Sequence, residues 1–283
     1  MNKIIISVIC MLLSTKISAE IKEIHQISQL ETMTGPLKSS DWLLFDIDYT
    51  LTEPSEPILQ MAVIKQNKER FRNELAKFTD EQKLLVPVLM VTQVESQLTE
   101  PSVPNLIQKL QHQGIPVLGF TAVDTSLIPG IGSIPTWRVN ELKRLGINFH
   151  STTSLVPKEK IEFKEFPCFR GTFPLYRDGI LYSNVTPSKG SVLKAFLSKI
   201  DQTPSKIIFV DDSLENLQSV EAELQNLGIS YLGIHYKAQA DTTKLPKVTE
   251  DEWNSIWDQI RERAKSITLK DHSENSDSAS FGS

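Results

Sequence analysis

Trp42, Leu43, Leu44 and Phe45 form a short apolar run that ends in two carboxylates, Asp46 and Asp48, two residues apart. A run of this length, bounded by polar residues, reads as a buried strand. In an open parallel sheet covered by helices, sites form outside the carboxyl ends of the strands. Acids are costly to bury unpaired, so two of them at a strand end ask for a cation. With a cation present, one carboxylate is available as a nucleophile and the other for proton transfer. The bland alternative is a strand followed by an Asp-rich turn, since Asp is a common turn residue.

The remainder of the chain supplies more strands of the same kind, separated by helices. Residues 115–120 are a second apolar run, ending at Thr121, and residues 207–210 a third, ending in Asp211 and Asp212. Residues 229–234 form a further strand, and 147–149 a short one. Between them, Leu106, Ile107 and Leu110 give a helical face stopped by Gly114. Val139 and Leu142 face inward from a helix closed by Gly146. Ser188, Lys189 and Gly190 open a helix that carries Val192, Leu193, Phe196, Leu197 and Ile200 on one side. The Asp178-Gly179 pair reads as a hairpin turn. Trp253, Ile256, Trp257 and Ile260 make a last amphipathic helix. Alternating strands and helices predict an α/β fold with a doubly wound, mainly parallel sheet, whose right-handed connections put the strand ends on one edge.

The expected division of the 283 residues is a leader over 1–19, an α/β core over 20–55 and 101–265, a small helical cap over 56–100 and a disordered tail over 266–283. The leader shows Lys3 and then an apolar stretch over 4–13, with Ala19 offered for cleavage before Glu20; this is a signal-peptide pattern, too short to span a bilayer comfortably. Residues 20–41 are amphipathic. Inside the cap, Phe71, Leu75 and Phe78 recur at helical spacing, and Thr79 with Gln82 resembles a capping box. Residues 86–94 are β-rich but interrupted by Pro87. The tail is rich in Ser, Asp and Asn without periodicity.

Composition narrows the function. A formal charge of -5 argues against a general nucleic-acid binder. Of the two cysteines, Cys10 falls in the leader, so Cys168 has no intramolecular partner. It reads as a small packing residue between Pro167 and Phe169.

Four polar signals fall at four separate element ends: Asp46 with Asp48, Thr121, Lys189, and Asp211 with Asp212. Each has a bland reading alone. In this order, as Asp46-Ile47-Asp48-Tyr49-Thr50, Thr121, Lys189 and Val210-Asp211-Asp212-Ser213-Leu214-Glu215-Asn216, they resemble the four motifs of the haloacid dehalogenase-like (HAD) superfamily. The likeness covers residues 42–236 and brings the Rossmann-like core of that superfamily, with the insertion as its cap. More narrowly, through looser phrases over 137–149 and 179–190, the chain is similar to an exported, functionally uncharacterised bacterial branch of it.

The resemblance implies roles. Asp46 would be the nucleophile and Asp48 the general acid and then base, an Asp there favouring phosphoryl transfer over dehalogenation. Thr121 and Lys189 would bind the phosphoryl group. Mg2+ would be held by Asp46, by the backbone carbonyl of Asp48 and by Asp212, with Asp211 and Asn216 as supporting groups. The choice of Asp212 rests on register, because Asn216 follows it by four residues as in the superfamily motif. Two departures touch substrate handling: Tyr49 follows Asp48, and the segment after Thr121 lacks the arginine often found near it.

These readings add up to an exported, periplasmic or secreted, Mg2+-dependent phosphohydrolase acting on a small phosphomonoester. They imply no nucleic-acid partner and no membrane span after leader cleavage. The competing reading is a secreted binding protein or effector that keeps the fold without turnover. Gln60, Lys65 and Arg72 are cap residues placed either to line the mouth of the site or simply to form a solvated helix face.

Overall fold

The structure is a computed structural model that describes residues 19–151, 155–238 and 245–280, and the side chains of 19–150, 155–238 and 245–268. Of the expected leader, only Ala19 lies within the described residues. The chain opens with strand β1 (Ala19–Ile24) and helix α1 (Leu30–Thr34), then enters β2 (Asp41–Phe45). Strand β3 (Thr52–Pro54), helices α2 (Met61–Gln66), α3 (Lys68–Leu75) and α4 (Asp80–Thr92), and strand β4 (Ser96–Leu98) follow. Helix α5 (Val103–His112) leads to β5 (Val117–Thr121), a small hairpin of β6 (Leu127–Ile128) and β7 (Gly132–Ser133), and helix α6 (Ile134–Arg144). Strands β8 (Ile161–Glu162), β9 (Leu175–Arg177) and β10 (Ile180–Tyr182) precede helix α7 (Lys189–Ile200). The chain closes with β11 (Lys206–Asp211), α8 (Leu214–Leu227), β12 (Ser230–Tyr236) and α9 (Glu250–Ser280).

Eight of these strands form one sheet in the order β1-β12-β11-β2-β5-β10-β9-β8. Every pairing from β1 across to β10 is parallel, and the last two, β10 with β9 and β9 with β8, are antiparallel. The fold is therefore α/β with a mainly parallel sheet. Successive strand residues point to opposite faces, so each strand feeds two cores. Leu43, Phe45, Ile208, Val210, Leu232 and Ile234 pack with Ile107 and Leu110 of α5 and with Trp253 and Trp257 of α9. Leu44, Phe120, Ile207 and Phe209 pack on the other side with Val192 and Phe196 of α7 and Val220 and Leu224 of α8. Covering both faces is what a parallel sheet requires.

Local signals explain the helix starts and turns. Ser188 accepts a hydrogen bond from the Ser191 amide at 3.2 Å and caps α7. Ser213 caps α8 in the same way. Asp178 and Gly179 both have positive φ, 52° and 78°, as a two-residue hairpin between β9 and β10 demands. Helices α7 and α8 cross so closely that a Cβ on Gly190 would run into the backbone carbonyl of Ser219. We expect Gly190→Ala to destabilise the fold by about 1–3 kcal/mol, the usual cost of overpacking against an unyielding neighbour, read as a lowered urea midpoint at unchanged slope.

Residues 86–94, ambiguous in the sequence, begin in the second half of α4. Thr79 and Gln82 form the reciprocal capping box at 3.2 and 3.1 Å, and Pro87 is tolerated inside the helix because Leu85, Val86, Val88 and Leu89 around it are buried. Helices α2, α3 and α4 lie between β3 and β4, which pair antiparallel. They pack on α9: Phe71 and Trp257 have ring centroids 5.4 Å apart, Arg70 pairs with Glu250 at 2.9 Å, and Arg261 pairs with Glu74.

Several expectations are corrected. Residues 147–149 are not a strand; Ile147 and Phe149 are buried, but the chain turns into a single 3-10 turn, Phe149–Ser151, at this point. Residues 20–41 contribute β1, an edge strand added beside β12. Cys168 is exposed instead of packed. In place of an unstructured tail from residue 266, helix α9 runs on to Ser280, and Ile267 and Thr268 are buried because they extend the stripe begun by Trp253, Trp257, Ile260 and Ala264. Among the described residues, no helix is long and apolar enough to cross a membrane.

Candidate active site

Parallel pairing of β2, β5, β10 and β11 brings their carboxyl ends to one edge. Asp46 leaves β2, Thr121 ends β5, and Asp211 and Asp212 end or follow β11. The Asp46 amide donates to the carbonyl of Val210 at 2.8 Å, which levels Asp46 with Asp211. Lys189 enters from the first position of α7, after β10.

Lys189 is the hub. Its ammonium, almost fully buried, donates to Asp46 Oδ1 at 2.5 Å, to Asp211 Oδ2 at 2.8 Å and to the carbonyl of Phe120 at 2.9 Å. All three of its donors are engaged. Burial pulls this ammonium down, but Asp211 and Asp46 outweigh it and hold the group above its ordinary range. Burial pushes the Asp46 carboxyl well up; Lys189 opposes this, while Asp211, Asp212 and Asp48 add to it. Thr50 donates to Asp46 Oδ2 at 2.9 Å and accepts from the Asp212 amide at 3.1 Å, so one hydroxyl ties the two acidic loops together.

Asp48 belongs to a second network. Its Oδ2 accepts from Thr121 at 2.9 Å, and its Oδ1 is paired with Arg138. Arg138 is fully buried and also bonds Glu141 at 2.6 Å, which in turn accepts from Ser96 of β4. Burial pushes the Glu141 carboxyl up, against the pull of Arg138 and Ser96. Neither Arg138 nor Glu141 was singled out from the sequence. The available signal was a charged pair on a buried stripe: Ile134, Arg138, Glu141 and Leu142 lie three or four residues apart on one face. The segment after Thr121 is anchored separately, with Arg170 paired to the buried Asp124 at 3.0 Å.

The two adjacent aspartates differ. Asp211 is fully buried and accepts from Lys189, from the Ser213 amide at 2.7 Å and from Asn216 at 3.1 and 3.2 Å. The Asp212 carboxylate has no hydrogen-bonding or ion-pair partner among the described residues. Burial first, and then Asp211, push it up to about 6, against Lys189 and Lys65. Oxygens of Asp46, Asp211 and Asp212 lie within 4.8 Å of one another. The three carboxylates Asp46, Asp211 and Asp212 converge on one buried cation, Lys189. This donor set is all oxygen, crowded and short of positive charge, which fits a hard divalent cation.

Asp46, Asp48, Thr121, Lys189, Asp212 and Asn216 all line one cavity of about 240 Å³, whereas Asp211 lies beneath its floor. Opposite the acids, the wall is Leu84, Pro87, Val88 and Val91 of α4. Gln60, Lys65 and Arg72 are not among the lining residues; the Gln60 side chain donates to the carbonyl of Pro54 at 3.3 Å, and Lys65 acts on Asp212 only through its charge. Val185 completes the wall with φ of 70°, a left-handed conformation that is rare for a β-branched residue.

A family model described as protein of unknown function (DUF2608) matches residues 18–272. The chain belongs to this family. Curated relatives include an uncharacterised protein of Rickettsia felis, 26% identical over 144 residues, or 50% of this chain and 48% of that one. Another, from Rickettsia bellii, is 27% identical over 149 residues, 53% of this chain and 50% of the relative. The chain spans about half the length of these first relatives. A Chlamydia pneumoniae protein provisionally named as an outer membrane protein is 26% identical over 235 residues, 78% of this chain and 77% of its own length. Among solved structures, the chain is similar to a haloacid dehalogenase-like family hydrolase from Streptococcus pneumoniae, with a TM-score of 0.39, 17% identity, and coverage of 69% of this chain and 95% of the other.

Proposed function

We propose that this family member is an exported phosphohydrolase of the HAD type, cleaving a small phosphomonoester through an aspartyl-phosphate on Asp46, with α2, α3 and α4 as a cap over the site. The observation that carries the reading is the convergence of Asp46, Asp48, Thr121, Lys189 and Asp212 on one cavity, with the Asp212 carboxylate unengaged. Export rests on the leader pattern over 1–19 and agrees with the provisional outer-membrane name of the chlamydial relative.

A divalent cation such as Mg2+ would be held by Asp46, the backbone carbonyl of Asp48 and Asp212, and would neutralise the charge of the carboxylates and the phosphoryl group. The remaining work falls to the chain. A carboxylate oxygen of Asp46 attacks phosphorus as the ester P–O bond breaks, and Asp48 gives its proton to the leaving alcohol oxygen. Water then adds to phosphorus and passes a proton to Asp48, and the bond to Asp46 breaks, releasing phosphate and restoring the carboxylate. Because both Asp48 oxygens are engaged in the ligand-free site, Thr121 would turn its hydroxyl from Asp48 to a phosphoryl oxygen as substrate binds. Lys189 holds Asp46 in place throughout, and Arg138 holds Asp48.

Phosphate release from a panel of phosphomonoesters, with Mg2+ and with excess chelator, tests the reading. Turnover abolished by chelator supports it; tight phosphate binding with no release points to a binding protein on the same fold. Within this assay we expect Asp212→Asn to raise the Mg2+ requirement more than Asp211→Asn does. Asp212 offers a free carboxylate, while Asp211 is committed to Lys189 and Asn216, so its loss acts indirectly, by about 10–100-fold in affinity or activity for a supporting partner. The reverse ordering would assign the ligand to Asp211.

A further inference from the structure

We infer that the site takes a phosphomonoester whose leaving alcohol is compact and apolar, an aryl or short alkyl group, and not a sugar, a nucleoside or a second phosphate; this rests on the phosphohydrolase reading above.

The cavity has two unlike halves. Its floor carries the acids, Thr121 and Lys189, and takes the phosphoryl group. Its roof is Leu84, Pro87, Val88 and Val91 from α4, with Val123 and Val185 beside them. None of these six side chains carries a hydrogen-bonding group. The polar groups near the roof are already engaged: the Tyr49 hydroxyl donates to the carbonyl of Leu59 at 3.2 Å, and Asp124 accepts from Ser126 at 2.8 Å and pairs with Arg170. A sugar hydroxyl enclosed there would lose water without finding a partner, which is costly.

Charge and size exclude other classes. Lys189 is the one cation among the described residues that line the cavity, and its donors are taken by Asp46, Asp211 and Phe120. No second cation among the described residues lines the cavity to receive another phosphate or a carboxylate, and Lys65 acts on Asp212 from outside the lining. The volume of about 240 Å³ is below the roughly 300–1,000 Å³ of pockets that enclose drug-sized ligands, so beside a phosphoryl group it encloses only a compact one. Leu84 is 39% exposed. A large apolar side chain left exposed at the edge of a polar catalytic floor has its natural complement in an apolar ligand.

The test separates binding from turnover. With the full chain and Mg2+, calorimetry compares benzylphosphonate with 3,4-dihydroxybutylphosphonate, non-hydrolysable analogues of an apolar and a polyol phosphate. Kinetics compare benzyl phosphate with glycerol 3-phosphate, whose alcohols are of comparable acidity. We expect benzylphosphonate to bind about tenfold or more tightly than the polyol analogue, the scale of discrimination in a small apolar pocket, and kcat/KM to follow the same order. Leu84→Gln, at an exposed position, and Val91→Thr, of equal size, should each shrink the ratio. Equal or reversed binding, or a ratio indifferent to both variants, overturns the inference, as does a phosphotyrosine peptide that displaces benzylphosphonate at lower concentration. A binding preference with neither ester cleaved leaves the ligand class standing and removes the hydrolase reading. Turnover without any preference does the opposite.

Discussion

Asp46→Asn is expected to remove phosphate release by about 10⁴-fold or more, the scale seen when an enzyme loses its nucleophile, while the protein stays folded. A carboxamide cannot form the acyl-phosphate bond. The fold should survive because the side chain keeps its shape and its oxygen can still accept from Lys189, which now reaches Asp46 at 2.5 Å. Stability should not fall, since the substitution removes one acid from a crowded group in which Asp46 is pushed up by burial and by Asp211, Asp212 and Asp48. The measurements are initial rates with Mg2+ and a thermal melt on the same preparation. Retained turnover in a normally folded variant would move the nucleophile elsewhere. Lost turnover accompanied by a large drop in melting temperature would reduce Asp46 to a structural role.

Lys189→Met should have the largest effect on stability. Its ammonium is enclosed between Asp46 and Asp211, and the thioether side chain would leave both acids buried without their partner. Removing one member of a buried charge network costs about 3–5 kcal/mol, measurable by urea unfolding at neutral pH. The pH dependence carries a second sign. Without Lys189, the Asp46 carboxyl, already pushed up by burial, rises further above the unfolded value of about 3.9. The folded state then binds more protons than the unfolded one between those two values, so stability increases as pH falls through the raised value and levels off near the ordinary one. The deficit of the variant relative to the parent chain should therefore shrink on acidification. A deficit that stays constant with pH would mean that Lys189 acts by packing, between Phe120 and Phe209 at 5.4 and 5.2 Å from their ring centroids, and not by charge.

What could be read locally agrees with the structure where a local rule operates. The Ser188 cap, the Thr79 and Gln82 box and the Asp178-Gly179 turn each depend on residues at most three apart, so no distant neighbour can overrule them cheaply. The expected strand over residues 147–149 failed for the complementary reason. Its apolar residues were real core residues, but whether an apolar residue enters a sheet depends on a partner strand, which a short window does not contain. The tail failed in the same way: Ile267 and Thr268 are buried only because α9 lies on other elements.

By itself the sequence determined the strands β2, β5, β11 and β12, the helices α7 and α8, and the acids, threonine and lysine at element ends. Parallel connection then forces those ends to one edge, as a matter of handedness and not of detailed packing. Tertiary structure alone decided the rest of the site. Arg138 reaches Asp48 across ninety positions of chain, and nothing near either residue announces the pair. The roof of the cavity is α4, a segment whose composition left its secondary structure open; its burial against α9 chose the helix and turned Leu84, Pro87, Val88 and Val91 towards the acids. Asp211 and Asp212 are neighbours in sequence with the same side chain, and only the direction in which the end of β11 points them makes one a partner of Lys189 and leaves the other open to the cavity.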